Sequence, residues 1–334
     1  MKIKRTTIEF TGTPSSLDWD GEQLIDWVDG GCLYKLDGKF VQSGRRYSYS
    51  RFDSAIQFID GDIYWTIIYE KRGTKGLLLK NGEDIREINR SYYQADVYEY
   101  PIAFFKMDNE VCIAHCPDEY NKLEIEHAES GKRLIQVEGE RDLKDCFISR
   151  LRVNKTNTHL LNAGWVWHPV DIFELYDIKK GIQDPKHFDT WSDEYIYSGD
   201  IVSAEFLGKE MILIATCFEG GETEAEENKL VENQIGLYHI EKKKYLKIAT
   251  IDFNVGTFIP INEDYGLSLY KYPKLVDLNT GKIIQKFEDI YSGEQGSSII
   301  HHLEKIPPIA IDIEQNRIAI GIEKGIEILT FLDD

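Results

Sequence analysis

The chain has 334 residues, of which 42% are hydrophobic and 12% aromatic, so it is long and apolar enough to bury a sizeable core. Its formal net charge of −19 repels phosphate backbones and anionic lipid headgroups, which predicts neither nucleic acid nor a membrane surface as a partner. The five cysteines are scattered and no stretch has the length of a signal peptide or a membrane span, so we expect a protein of the reducing cytoplasm.

Short strands closed by turn residues recur along the chain, while helical periodicity is almost absent. Residues 2–10 form one strand without a group of its own, and a less regular group of strands follows at residues 19–39. The later groups share the same strand-and-turn rhythm and lie at residues 54–88, 101–137, 148–176, 201–251, 257–287 and 309–331. Seven groups correspond to a period of about 48 residues, which is typical of propeller blades.

This rhythm predicts an all-β fold, a seven-bladed β-propeller that forms a single domain over residues 1–334. The group at 309–331 supplies three strands and lacks a fourth. We therefore expect the N-terminal strand to complete the last blade and close the ring, because this removes the exposed edge of an open circle. Six blades, or two packed β-sandwiches, are the alternative architectures.

Three turns resemble those of the WD40-like seven-bladed propellers. Residues 277–284 (Asp-Leu-Asn-Thr-Gly-Lys-Ile-Ile) and 127–134 (His-Ala-Glu-Ser-Gly-Lys-Arg-Leu) resemble the turn between the third and fourth strands of a blade. Residues 312–321 resemble the hairpin between the first and second strands. No Trp-Asp dipeptide ends a blade, so the resemblance implies the superfamily and no subfamily.

Two aromatic segments are candidates for contact with a partner. In Gly164–Pro169, we expect one strand that places Trp165 and Trp167 on the same face and ends at His168. Trp167 with His168 is the preferred anchor, because tryptophan is frequent at interface hot spots. Trp191 lies in a long connection, residues 185–200, whose aromatic and acidic composition suits protein binding.

Residues 219–228 form an acidic loop insertion between two strands. Five glutamates in nine residues repel one another and extend into water. We expect this insertion to attract a basic partner, through the carboxylates of Glu222, Glu224, Glu226 and Glu227.

The sequence predicts no catalytic residue, no metal and no cofactor. Cys112 and Cys116 lie on one face of a predicted strand and His115 lies on the other, so the three do not converge on a metal. No phosphate-binding loop or nucleophile elbow occurs. The expected function is therefore non-enzymatic binding of a protein with a basic surface, as an immunity protein binds a toxic enzyme. An enzyme acting on a small molecule in the central channel and a scaffold within a larger complex are the alternatives.

Overall fold

The computed structural model describes residues 1–41, 49–192, 196–218, 224 and 226–332. Its first strand is β1 (Lys2–Glu9). The antiparallel sheets that follow are the blades, and their strands run outward from the centre in chain order. Blade 1 contains β2 (Asp18–Asp20), β3 (Gln23–Asp26), β4 (Cys32–Lys35) and β5 (Phe40–Val41). Blade 2 contains β6 (Ser54–Asp60), β7 (Ile63–Tyr69), β8 (Lys75–Lys80) and β9 (Glu83–Asn89).

Blades 3 and 4 are less regular than the others. Blade 3 contains β10 (Ile102–Met107), β11 (Glu110–His115) and β12 (Glu124–His127). Blade 4 contains β13 (Arg152–Val153), β14 (His159–Asn162) and β17 (Glu174–Asp177). A small hairpin of β15 (Trp165–Val166) and β16 (Val170–Asp171) interrupts blade 4 between its second and third strands.

Blades 5, 6 and 7 complete the ring. Blade 5 contains β18 (Ile201–Leu207), β19 (Met211–Thr216), β20 (Gln234–His239) and β21 (Lys244–Thr250). Blade 6 contains β22 (Phe258–Pro260), β23 (Tyr265–Ser268), β24 (Lys274–Asp277) and β25 (Ile283–Lys286). Blade 7 contains β26 (Ile309–Asp312), β27 (Arg317–Ile322) and β28 (Gly325–Leu332), with β1 as its outermost strand. The predicted seven-bladed β-propeller is confirmed.

The N-terminal strand closes the ring, as predicted. Strand β1 pairs antiparallel with β28 from Lys2 opposite Leu332 to Glu9 opposite Gly325. Ile8 is only 2% exposed, and it packs in a cluster that joins blade 7 to blade 1. The two ends of the chain are thereby fixed in one sheet.

Packing between blades explains the apolar rhythm of the sequence. Within the described ranges, seven clusters of buried residues each span one junction between neighbouring blades. In blade 5, β19 is buried on both faces because blades flank it on either side, whereas the outermost strand β21 alternates exposed and covered positions. A further cluster, formed by Tyr98, Phe147 and Trp165, lies in the segments that precede blades 3 and 4 and in the hairpin inserted in blade 4.

Two short helices stand where a fourth strand of blade 4 would lie. They are α1 (Ile178–Gln183) and α2 (Lys186–Asp189), and Asp177 caps α1 by accepting a hydrogen bond from the Lys180 amide at 3.0 Å. The connection predicted at 185–200 therefore begins with a helix. In α2, Phe188 is buried against Tyr176, with ring centroids 5.4 Å apart. No helix in the described parts of the chain has the length and apolar character needed to cross a membrane.

Candidate functional site

The sequence-predicted site residues that the structure describes lie on one face of the propeller. Strands alternate in direction, so the connections between blades and those between the second and third strands of a blade emerge on the same side, here called the upper face. Trp167 and His168 belong to the hairpin inserted in blade 4, and Trp191 lies between blades 4 and 5. Glu224, Glu226 and Glu227 lie between β19 and β20 of blade 5. Glu222 lies outside the described residues.

The prediction of one continuous strand through Trp167 is wrong. The strand ends at Asn162, and Trp165 resumes as part of the two-residue strand β15. Trp167 and His168 form the turn between β15 and β16, where His168 adopts a φ of 104°. The two tryptophans therefore differ in environment, since Trp165 is 2% exposed and Trp167 is 43% exposed.

Trp167 belongs to a set of packed rings, here called the rim aromatic cluster: Tyr93, Tyr120, Phe147, Trp165 and Trp167. Trp167 and Tyr93 are its exposed members, at 43% and 41%. Phe147 and Trp165 stack at 3.9 Å with an interplanar angle of 6°. Trp167 packs edge-on against both, at 5.4 and 5.3 Å. Tyr120 stacks on Phe147 at 4.4 Å, and Tyr93 lies next to both rings. The sequence analysis did not identify Tyr93, Tyr120 or Phe147, because they come from three separate connections.

Trp191, between blades 4 and 5, is linked to the same region through Lys144. It is 43% exposed, and the ammonium group of Lys144 lies 5.2 Å from the centre of its ring. Lys144 is buried and forms an ion pair with Glu174 at 2.9 Å. Lys144 is three residues before Phe147, so one short segment contacts both Trp191 and the rim aromatic cluster.

The described part of the acidic insertion is attached to the neighbouring connection. Glu226 accepts a hydrogen bond from the Ser198 hydroxyl at 2.9 Å and pairs with Lys229 at 2.8 Å. These contacts lower the pKa of its carboxyl, with Lys229 the larger cause. Tyr197 forms a parallel bridge with Leu230, and its hydroxyl accepts from the backbone amide of Phe173 in blade 4. Glu224 and Glu227 are exposed. Acidic groups and exposed aromatic rings are thus carried by adjacent blades.

The centre of the upper face holds a cavity of about 630 Å³. A segment here called the strap, residues 292–308, connects blade 6 to blade 7 and also lines this cavity. Although these blades are neighbours, the strap reaches across the channel to blades 2, 3 and 4. Two isolated β-bridges join Gly293 to Lys271 and Ile299 to Tyr98. The Ser298 amide donates a hydrogen bond to Asp171, and Arg72 donates to the carbonyls of Ile300, His301 and Leu303.

Charged side chains line the cavity under the strap. Lys71 Nζ lies 3.9 Å from Glu99 Oε2, and Arg152 Nε donates to Glu205 Oε2 at 3.0 Å. Burial opposes the charge on Glu99, but Lys71, Arg152 and Arg150 around it hold the pKa of its carboxyl below the ordinary value. Asp18, at the start of β2, lines the cavity as well. Burial raises its pKa well above the usual range, and the nearby Asp26 adds to this shift.

The segment considered as a metal site in the sequence, residues 112–116, lies in and directly after β11 of blade 3. Cys112, Cys116 and His115 are buried, and burial raises the pKa of the Cys112 thiol to about 12. In the portions that the structure covers, no three His, Cys, Asp or Glu side chains converge as metal ligands.

Comparisons with known proteins identify no family. No family model matches the chain, and no curated protein matches it. Among solved structures, it is similar to the computationally designed Ika8 protein, with a TM-score of 0.48 and 10% identity over 98% of each chain.

Proposed function

We propose that this propeller binds a basic protein through the upper face of blades 4 and 5, without itself catalysing a reaction. The observation that supports this most is the position of Trp167, an exposed tryptophan packed edge-on against two buried rings, on the blade next to the acidic insertion. A preorganised aromatic anchor loses little conformational entropy on binding. Carboxylates beside it favour encounter with a cationic surface.

The net charge of −19 strengthens the preference for a basic partner and disfavours nucleic acid and anionic membranes. A specific form of the proposal is an immunity protein that neutralises a toxic enzyme. The cytoplasm is the compartment we propose, since the five cysteines, all within the described residues, form no disulfide with one another.

We further infer a WD40-like propeller, and the turn at Asp277 supports this finer assignment. Asp277 Oδ1 accepts hydrogen bonds from the amides of Asn279 at 2.7 Å and Thr280 at 3.0 Å. Gly281 follows with a φ of 70°, which suits glycine in a tight hairpin. Action on a small molecule in the channel is the second candidate function, favoured by the charged cavity of about 630 Å³.

The experiment is capture from native-host lysate with the immobilised full chain, at low and at moderate salt. The test variants are Trp167→Ala and a triple variant that changes Glu224, Glu226 and Glu227 to Gln. The matched control changes three exposed acids of the opposite face, Asp62→Asn, Glu110→Gln and Glu241→Gln, and so removes the same charge. Phe40→Ala is the control for loss of an exposed ring elsewhere.

We expect a basic protein that the wild-type chain and both controls retain at low salt and that both test variants lose. Retention that is equal for all variants would contradict the proposal, as would capture that moderate salt does not weaken. A partner in fixed stoichiometry that resists salt would favour the scaffold alternative.

A further inference from the structure

The cavity under the strap contains polar groups that can form further hydrogen bonds. Each blade contributes its first strand to the channel, and that strand is the inner edge of its sheet, so one side of its backbone has no sheet partner. The cavity volume of about 630 Å³ lies within the range of small-molecule sites.

Arg152 is the clearest of these groups. Its Nε donates to Glu205 and its Nη1 donates to the carbonyl of Leu151, both at 3.0 Å. Within the described residues, Nη2 has no hydrogen-bond partner, and the side chain keeps 40% of its surface exposed while lining the cavity. The guanidinium thus presents a free N–H edge to the interior of the channel.

Lys71 and Asp18 line the same cavity. The nearest carboxylate oxygen to Lys71 Nζ is 3.9 Å away, on Glu99, too far for a hydrogen bond. Asp18 Oδ2 is buried and lacks a hydrogen-bond partner among the described residues. Burial, with Asp26 nearby, raises the pKa of the Asp18 carboxyl and so favours its protonated form, whose O–H is a hydrogen-bond donor.

Among the buried and half-buried charged groups of the cavity, the free bonding capacity is therefore that of donors and positive charge, whereas Asp53, Glu294 and Glu304, which also line it, are exposed to solvent. Glu99 is surrounded by Lys71, Arg152 and Gln295, and Glu205 is already paired with Arg152. In a chain of net charge −19, a cavity that leaves Lys71 and Arg152 available is the unusual feature. A cationic ligand would meet these two cations and no free carboxylate of comparable burial.

We propose that the cavity under the strap binds a small organic anion, through a carboxylate or phosphate group held by Arg152 and Lys71. Asp18, at the start of the first strand of blade 1, donates a hydrogen bond to the same ligand. Guanidinium groups suit this role because their planar N–H donors match carboxylate and phosphate oxygens. This site is separate from the rim that we propose for the protein partner, so either proposal can fail alone.

The test is calorimetric titration of the full chain with three probes, namely inorganic phosphate, citrate and adenosine monophosphate. Sodium chloride at matched ionic strength controls for screening. We expect saturable binding of at least one probe at concentrations up to about 10 mM. The phosphate and citrate arms distinguish which anionic group the site prefers.

Variants then locate the binding. Lys71→Gln should weaken the Kd at least tenfold, whereas Asp18→Asn, which keeps a donor, should change it about threefold or less. Because Arg152→Gln alone would leave Glu205 unpaired, the double variant R152Q/E205Q is used, and it should also weaken binding at least tenfold. Lys282→Gln, an exposed lysine of the opposite face, is the matched control and should bind as wild type.

The absence of saturable binding for all three probes would overturn the proposal. Binding that persists unchanged in both Lys71→Gln and R152Q/E205Q would overturn it equally, because the anion would then occupy another site. Cooperative thermal unfolding of each variant establishes that a loss of binding reflects the site rather than the fold.

Discussion

Ser298 donates its backbone N–H, at 2.9 Å, and its hydroxyl to the same oxygen, Oδ1, of Asp171. The two residues are 127 positions apart, and their contact joins the strap to the hairpin of blade 4. Arg150 lies 3.8 Å from the same carboxylate oxygen, and all three residues are buried. The strap is therefore fixed across the mouth of the channel by the blade that also carries Trp167.

Ser298→Ala should loosen the strap without unfolding the propeller. The variant loses one buried hydrogen bond to a carboxylate, so we expect the free energy of unfolding to fall by about 1–3 kcal/mol. Amide hydrogen exchange of residues 298–303 should accelerate, because this part of the strap depends on the contact. Ser297→Ala is the control, since among the described residues the Ser297 hydroxyl bonds to Ile299 alone, within the strap. Equal exchange rates in the wild type and both variants would contradict this account.

Asp18 should make stability depend on pH. Its pKa is raised in the folded chain, so between about 3.9, its unfolded value, and the higher folded value the folded state binds more protons than the unfolded state. The free energy of unfolding therefore falls as pH rises through that interval, by up to about 1.4 kcal/mol per pH unit. Asp18→Asn removes this titration.

Denaturant unfolding of the wild type and Asp18→Asn between pH 4 and 7 measures this effect. We expect the variant to gain stability relative to the wild type as pH rises. If the free energies of unfolding of the two proteins change equally with pH, Asp18 has the same proton affinity in the folded and unfolded states.

Ile8→Ala should weaken the closure of the ring. Ile8 is buried at the junction of blades 7 and 1, so its truncation should cost about 2–5 kcal/mol in chemical denaturation. Lys4→Ala, at an exposed position of the same strand, is the control and should change stability by about 0.5 kcal/mol or less. Equal effects of the two variants would mean that β1 does not contribute to the folded ring.

Substitution of the two tryptophans of blade 4 should have different effects, because Trp165 supports the fold and Trp167 is proposed to bind the partner. Trp165 is buried and stacked on Phe147, so Trp165→Ala should cost about 3–5 kcal/mol. Trp167→Ala removes a partly exposed ring and should cost about 1 kcal/mol or less. Thermal and denaturant unfolding of both variants measures the difference. A larger loss of stability for Trp167→Ala than for Trp165→Ala would show that Trp167 belongs to the core.

The ring could be predicted from the sequence because its signals are local. Asn81-Gly82 and Asp60-Gly61-Asp62 are turn residues at the ends of strands in blade 2. The group predicted at residues 54–88 agrees with this blade, which begins with β6 at Ser54 and ends with β9 at Asn89. The missing strand in the last blade predicted the pairing of β1 with β28. Turn residues and the alternation of apolar and polar residues each depend on a few neighbouring positions, so both can be identified from the sequence alone.

The site was predicted only in part, because its geometry depends on contacts between distant segments. Trp167 was identified as an anchor, but the rings that support it come from connections whose sequences share no pattern. The path of the strap is set by its bonds to Arg72 and Asp171, which lie far away in the chain. The strand predicted through Trp167 failed because Gly164 lies against the Phe147 carbonyl, where a hairpin begins.

The most direct test of the binding proposal is the affinity of the captured basic partner as a function of salt. Kd is measured for the wild type, Trp167→Ala, the triple variant of Glu224, Glu226 and Glu227, and the lower-face control. We predict that Trp167→Ala weakens binding by about 2 kcal/mol, roughly thirtyfold in Kd. The triple variant should flatten the salt dependence, and the control should leave it unchanged. Identical affinities and salt dependence for all four proteins would contradict recognition through this face.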